Sequence, residues 1–202
     1  MTRRFFYILL TVALAMYAGM ASAQQLSLGQ ISQYLNQLQT AQGGFTQINS
    51  DGTLSTGQIY IKRPGRIRFE YNPPDESLVM AGGGQVAVFD PRSNTGPERF
   101  PLNQTPLDIM LRQNVDLSSE RMVTNQTYDG TATTITAQDP EHPEYGNIQM
   151  VFTANPVELR QWIVTDDLGT QTTIILNDMT AGGTIGNILF NIRAEMRKRG
   201  QD

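Results

Sequence analysis

Few residues in this chain have the types and spacing that chemistry needs. The one histidine, His142, sits in Pro140-Glu141-His142-Pro143-Glu144. With no second histidine and no cysteine to complete a metal set, it reads as an exposed loop residue rather than a base or a ligand. Gly82-Gly83-Gly84 has no following Lys-Ser/Thr and leads into a strand pattern, so it reads as a hairpin turn rather than a phosphate cradle. Asp75-Glu76 and Asp166-Asp167 are adjacent carboxylates. Neighbours on a strand or turn point apart, whereas paired acid–base work, as in a glycosidase, needs two that converge. Asn103-Gln104-Thr105 and Asn125-Gln126-Thr127 fit the glycosylation acceptor pattern, which is common by chance.

The residue that stands out is an arginine. In Ile59-Tyr60-Ile61-Lys62-Arg63 the apolar residues alternate with polar ones, and the alternation puts Arg63 on the side of Ile59 and Ile61. Pro64-Gly65 then reverses the chain, since Pro has no N–H and Gly tolerates positive φ. In the next strand Ile67, Phe69 and Tyr71 share one face and Arg66, Arg68 and Glu70 the other, until Pro73-Pro74 ends it. A guanidinium on an apolar face keeps its charge and must find acceptors there, and the last turn of a covering helix offers free carbonyls.

The elements that would position Arg63 follow from periodicity. Leu28, Ile31, Tyr34, Leu35 and Leu38 form one stripe of a helix over 26–41 that ends at Gly43-Gly44. Strands are expected at 45–48, 54–62, 77–80 and 85–90, with Asn49 to Gly52 as a hairpin turn. Thr105-Pro106 signals a short second helix to Gln113, with Leu107, Met110 and Leu111 on one face. Further strands are expected over 116–123, 131–137, 147–152, 157–166 and 170–178, then a last one over 188–192 and a frayed charged tail, Arg193 to Asp202. Two helices and many antiparallel strands in succession predict an α+β fold: a strongly curved sheet whose concave face the helices cover. That face is either a solid core or a hollow.

The chain has 202 residues and opens on Thr2-Arg3-Arg4, an apolar run from Phe5 to Met20 and Ala21-Ser22-Ala23. This is the pattern of a secretory signal peptide, residues 1–23, cleaved after Ala23. The roughly 180 residues from 24 to 202 suit one domain. The net charge is −4, and losing Arg3 and Arg4 makes it more negative, against a nucleic-acid binder. Without cysteine there is no disulfide, no thiol nucleophile and no lipid-modified amino-terminal Cys. An exported, soluble protein is expected.

Ile61-Lys62-Arg63-Pro64, Phe69-Glu70-Tyr71, Pro74-Asp75-Glu76-Ser77, Val88-Phe89-Asp90-Pro91 and Thr105-Pro106-Leu107, behind a helix and Phe45-Thr46-Gln47, resemble the periplasmic outer-membrane lipoprotein carriers of the LolA family. Beyond Gln113 only the strand pattern is similar, and the tail departs from the enterobacterial form. The resemblance implies an incompletely closed antiparallel β-barrel with a helical lid over a hydrophobic cavity, with no enzymatic activity and no cofactor. It implies a periplasmic monomer that accepts lipoprotein acyl chains from an inner-membrane ABC transporter (LolCDE-like) and passes them to an outer-membrane receptor (LolB-like). On the matching position, Arg63 would be the lid latch. Alternation and resemblance together nominate Ile61, Ile67, Phe69, Tyr71, Phe89, Leu107, Met110, Leu111, Met150, Phe152 and Trp162 as the acyl-chain lining. Two other functions stand beside this one: a lipid-sensing envelope-stress regulator of the same fold, and an exported hydrolase built on paired carboxylates.

Overall fold

The computed structural model describes residues 24–93, 95–119 and 121–201; the expected leader lies outside them. Helix α1 (Leu28–Gln37) starts on a capping box: Ser27 Oγ accepts from Gln30 N at 3.2 Å and Gln30 Oε1 accepts from Ser27 N at 2.9 Å. The strands are β1 (Thr40–Ile48), β2 (Leu54–Lys62), β3 (Ile67–Tyr71), β4 (Leu78–Gly82), β5 (Gln85–Phe89) and β6 (Glu98–Pro101), then β7 (Val123–Tyr128), β8 (Ala132–Gln138), β9 (Asn147–Thr153), β10 (Glu158–Thr165) and β11 (Gln171–Ala181). Helix α2 (Leu107–Leu111) lies between β6 and β7, and α3 (Ile192–Lys198) follows β11.

All eleven strands form one antiparallel sheet in the order β6-β5-β4-β3-β2-β1-β11-β10-β9-β8-β7. Its edges, β6 and β7, do not pair with each other, so the sheet stays open. It is nonetheless strongly curved: Phe69 on β3 and Trp162 on β10 lie four strand spacings apart, about 19 Å in a flat sheet, yet their ring centroids are 6.2 Å apart. The chain from Leu102 to Met122, carrying α2, runs from one edge to the other. Its residues Leu102, Ile109, Met110, Leu111, Val115, Leu117 and Met122 are buried in the same core as Ile31 and Leu35 of α1. Together α1 and this crossing segment form a lid over the concave face.

Gly57 makes room for part of that core. A Cβ there would stand 2.6 Å from the Phe45 ring and 2.1 Å from the Glu70 carbonyl. Its absence lets Phe45 lie across β2 and meet Phe69 and Tyr71 edge-on, at 5.3 and 5.1 Å between centroids.

The structure corrects several boundaries. Helix α1 stops at Gln37, and Gly43-Gly44 sit inside β1, where the β11 backbone comes close: a Cβ on Gly43 would be 2.8 Å from the Asn177 carbonyl. Residues 116–119 form a turn rather than the start of a strand, because Asp116 Oδ1 accepts from the amides of Ser118 and Ser119 at 3.1 and 3.2 Å. Thr105 does not cap α2; its hydroxyl donates to the Leu102 carbonyl at 2.8 Å. Strand β6 carries no apolar alternation that would reveal it. In place of the expected last strand and frayed tail there is a 3₁₀ turn (Asn187–Phe190) and helix α3, which docks on the convex face.

Candidate functional site

Arg63 is 4% exposed and follows Ile59 and Ile61 on the concave side of β2, as alternation requires. Its Nη2 donates to the carbonyl of Arg112, the C-cap of α2, and reaches Asn36 Oδ1 at 3.5 Å. The acceptor is thus a last-turn helix carbonyl. Burial alone pushes the Arg63 pKa down from its ordinary value, since leaving water penalises the charged form. Two backbone bonds flank it: Arg63 N to the Gln39 carbonyl and Gly65 N to the Leu111 carbonyl, both 2.8 Å.

The lid's two parts are knit together by residues that periodicity did not single out. Asn36 donates through Nδ2 to the Val115 carbonyl and accepts from Val115 N, both at 2.9 Å. Ser32 Oγ accepts from Leu117 N at 3.0 Å and donates to the Leu28 carbonyl at 2.8 Å. The Tyr34 hydroxyl accepts from Leu159 N at 3.1 Å, beside a register shift between Leu159 and Gln161 that frees this amide from the ladder. Burial foremost raises the Tyr34 pKa, so the hydroxyl stays protonated. At the start of the lid, Leu26 N donates to Thr133 Oγ1 at 2.9 Å and Gln126 Nε2 donates to the Leu26 carbonyl at 2.7 Å.

Of the nominated lining, Ile61, Ile67, Phe69, Met110, Leu111, Met150, Phe152 and Trp162 meet in one continuous apolar cluster, each 4% exposed or less, with Leu107 and Tyr71 at its margin. Tyr71 donates to Gln47 Oε1 at 2.5 Å, and burial, with Asp75 nearby, pushes its pKa up. A hollow of about 350 Å³ opens at one corner of the cluster. Ile61 borders it with Tyr34, Leu38, Ala41, Val157 and Leu159, while Glu158, Arg160 and Asp178 also face it.

Phe89 must be corrected. It packs on the convex face with Leu78, Met80, Ala87 and Ile192, beneath α3. Val88, not Phe89, pairs with Val79 on the concave side.

The carboxylates considered for chemistry serve turns: Asp166 Oδ1 accepts from Leu168 N and Thr170 N, and Asp75 accepts from Ser55 and Ser77. His142 is exposed, 3.0 Å from Glu144 and stacked on Tyr145. Among the described residues the one buried carboxylate is Glu195, on the convex face.

A curved open sheet, an apolar interior and a lid bonded to a buried arginine can be set against known families. The profile described as "Outer membrane lipoprotein carrier protein LolA" matches residues 36–193. The chain belongs to the LolA family. The outer-membrane lipoprotein carrier protein of Azotobacter vinelandii is 26% identical over 180 residues, covering 85% of this chain and 86% of that one. That of Coxiella burnetii strain CbuK_Q154 is 24% identical over 194 residues, covering 92% and 91%. Among solved structures, a LolA superfamily protein from Nitrosomonas europaea gives a TM-score of 0.43 at 11% identity, over 82% of this chain and 98% of that one. The matched range spans Asn36, Arg63 and Arg112, which meet where the lid contacts the end of β2.

Proposed function

We propose that this protein is a LolA-type carrier that shelters the acyl chains of lipoproteins between its curved sheet and its lid. The observation that carries the reading is a permanent charge buried at the interface of sheet and lid, satisfied there by a lid carbonyl. Moving a chain out of a membrane forfeits about 0.8 kcal/mol per methylene, so a carrier must offer an apolar surface of comparable extent. The lid already presents Ile31, Leu35, Ile109, Met110 and Leu111 to the sheet. An incoming chain exchanges one apolar contact for another, and Met110 among them adapts to its shape. Opening therefore costs chiefly the polar bonds, of which the Arg63–Arg112 bond, a charged one, contributes about 1.5–3 kcal/mol.

The closed form is packed on itself, and that is the state to which an unloaded carrier returns. Reclosure favours release, so delivery to a higher-affinity receptor runs downhill. In this reading the protein is a periplasmic monomer, its leader removed after Ala23. It loads from an inner-membrane ABC transporter and unloads at an outer-membrane receptor.

The test is a two-step transfer assay, loading from inner-membrane vesicles and then delivery to purified receptor. Arg63→Leu removes the latch and adds apolar surface, so the variant should still load but should deliver poorly. Arg63→Lys should fall between, since an ammonium keeps the charge without the planar fork. Equal delivery by wild type and Arg63→Leu would refute the latch.

A further inference from the structure

Among the described residues two arginines are buried, and the fold treats them differently. Arg68, on the convex face, has every nitrogen occupied: Nε at 2.6 Å from Glu70 Oε1, Nη1 at 3.0 Å from the Leu189 carbonyl and Nη2 at 3.2 Å from Glu195 Oε2. Arg63, as deeply buried, uses Nη2 alone, and its Nε and Nη1 are enclosed with no acceptor among the described residues. A purely structural arginine in this sheet looks like Arg68. Donors left unpaired in an apolar interior carry a desolvation penalty that a guanidinium cannot shed by losing its proton.

We infer that the unpaired N–H groups of Arg63 recognise the carbonyl oxygens at the head of a bound acyl chain. The inference rests on the carrier reading above and adds a polar contact to it. Three features fit that chemistry. Arg63 already takes a carbonyl, that of Arg112, so a chain-head carbonyl replaces like with like when the lid lifts. The planar fork can serve two acceptors together, as a head bearing two ester groups presents them. Ile61, on the same face two residues earlier, borders the hollow together with Leu38, Ala41, Val157 and Leu159, so the first methylenes meet these apolar side chains beside the polar contact.

Binding of palmitoyl glycerol monoester and of its hexadecyl ether, which lacks the carbonyl, tests this with the whole mature protein. Free sodium palmitate is a third probe. Wild type should hold the monoester about tenfold or more tighter than the ether. Arg63→Leu should bind both alike, and Arg63→Lys should lose about threefold or more of the preference, which covers the case in which the leucine variant does not fold. Palmitate should side with the monoester, because its carboxylate offers the same acceptors.

Equal wild-type affinity for ester and ether overturns the inference and leaves the carrier reading standing. A preference that survives in both variants overturns the assignment to Arg63. Binding of palmitate alone reassigns the site to free carboxylates and overturns the ester contact. Failure of all three probes to bind overturns the carrier reading itself.

Discussion

At the scale of single residues, the lid is held by a small number of polar atoms set in an apolar interface. Arg63 joins it to β2 through Arg112 and Asn36, and Tyr34 joins it to β10 through Leu159 N. The Tyr34 bond reaches β10 and the Arg63 bonds lie at the end of β2, so the two fasten the lid to different strands. Tyr34→Phe keeps the ring against Phe152, 5.9 Å away edge-on, and removes only the hydroxyl. The Leu159 amide then loses its acceptor, at a cost of about 1–3 kcal/mol. The variant should melt at lower temperature, and hydrogen exchange should speed up at Leu159 while the β1–β2 ladder stays protected. An unchanged Leu159 exchange rate would show that the hydroxyl fastens nothing.

At the scale of elements, α3 is the piece most open to separate release. It is held by Ile192 and Met196 on the Leu78–Met80–Ala87–Phe89 patch, by Arg199 over the Phe89 ring at 5.0 Å, and by Glu195 between Arg68 and Arg199. Burial pushes the Glu195 pKa up, but the Arg199 bond and the charges of Arg68 and Lys198 outweigh it, so the carboxyl ends below its ordinary 4.5. A lowered folded-state pKa contributes stability that is full above the unfolded value and is lost as pH falls through the folded one. Acidification below about pH 4.5 should therefore loosen α3 ahead of the sheet, with faster exchange over residues 192–198. Glu195→Gln should abolish that pH dependence and loosen α3 at neutral pH, because Arg68 is left short of a counter-charge in a buried site. Uniform exchange across α3 and β1 at every pH would count against the local role of this cluster.

At the scale of the whole molecule, an open sheet gains both its stability and its capacity from what covers it. The edges β6 and β7 are bridged by the crossing segment rather than by hydrogen bonds, so lid movement need not break a ladder. The interior is polled by one tryptophan: Trp162 is fully buried and meets Phe69 edge-on. A hexadecyl glycerol ether that enters the interior should change Trp162 emission and saturate, and, since it lacks the carbonyl, the latch reading predicts that the change comes at lower concentration in Arg63→Leu. A linear, non-saturating response would mean that the lipid stays outside.

Much of this was legible in local sequence. Strand β2 runs over Leu54–Lys62 as its alternation predicts, β3 covers Ile67–Tyr71, and Arg63, one residue past the end of β2, keeps to the side that Ile59 and Ile61 share. The lid helices announced themselves by an apolar stripe and a proline. The tail carried helix signals too, with Asn191 as N-cap and Arg197 and Lys198 in the last turn, but they stand among charges that also suit an unfolded end. Three things waited for the tertiary structure. Phe89 lies on the convex face because α3 buries that side of β4 and β5, and a strand covered on both faces shows apolar residues on each, so alternation cannot say which is concave. Strand β6 exists by pairing with β5, a non-local bond with no local pattern. The sequence alone determined that a charge enters the interior; which carbonyl meets it, and that two of its nitrogens meet none, depends on how a lid from residues 28–37 and 102–122 closes over a sheet assembled from both halves of the chain.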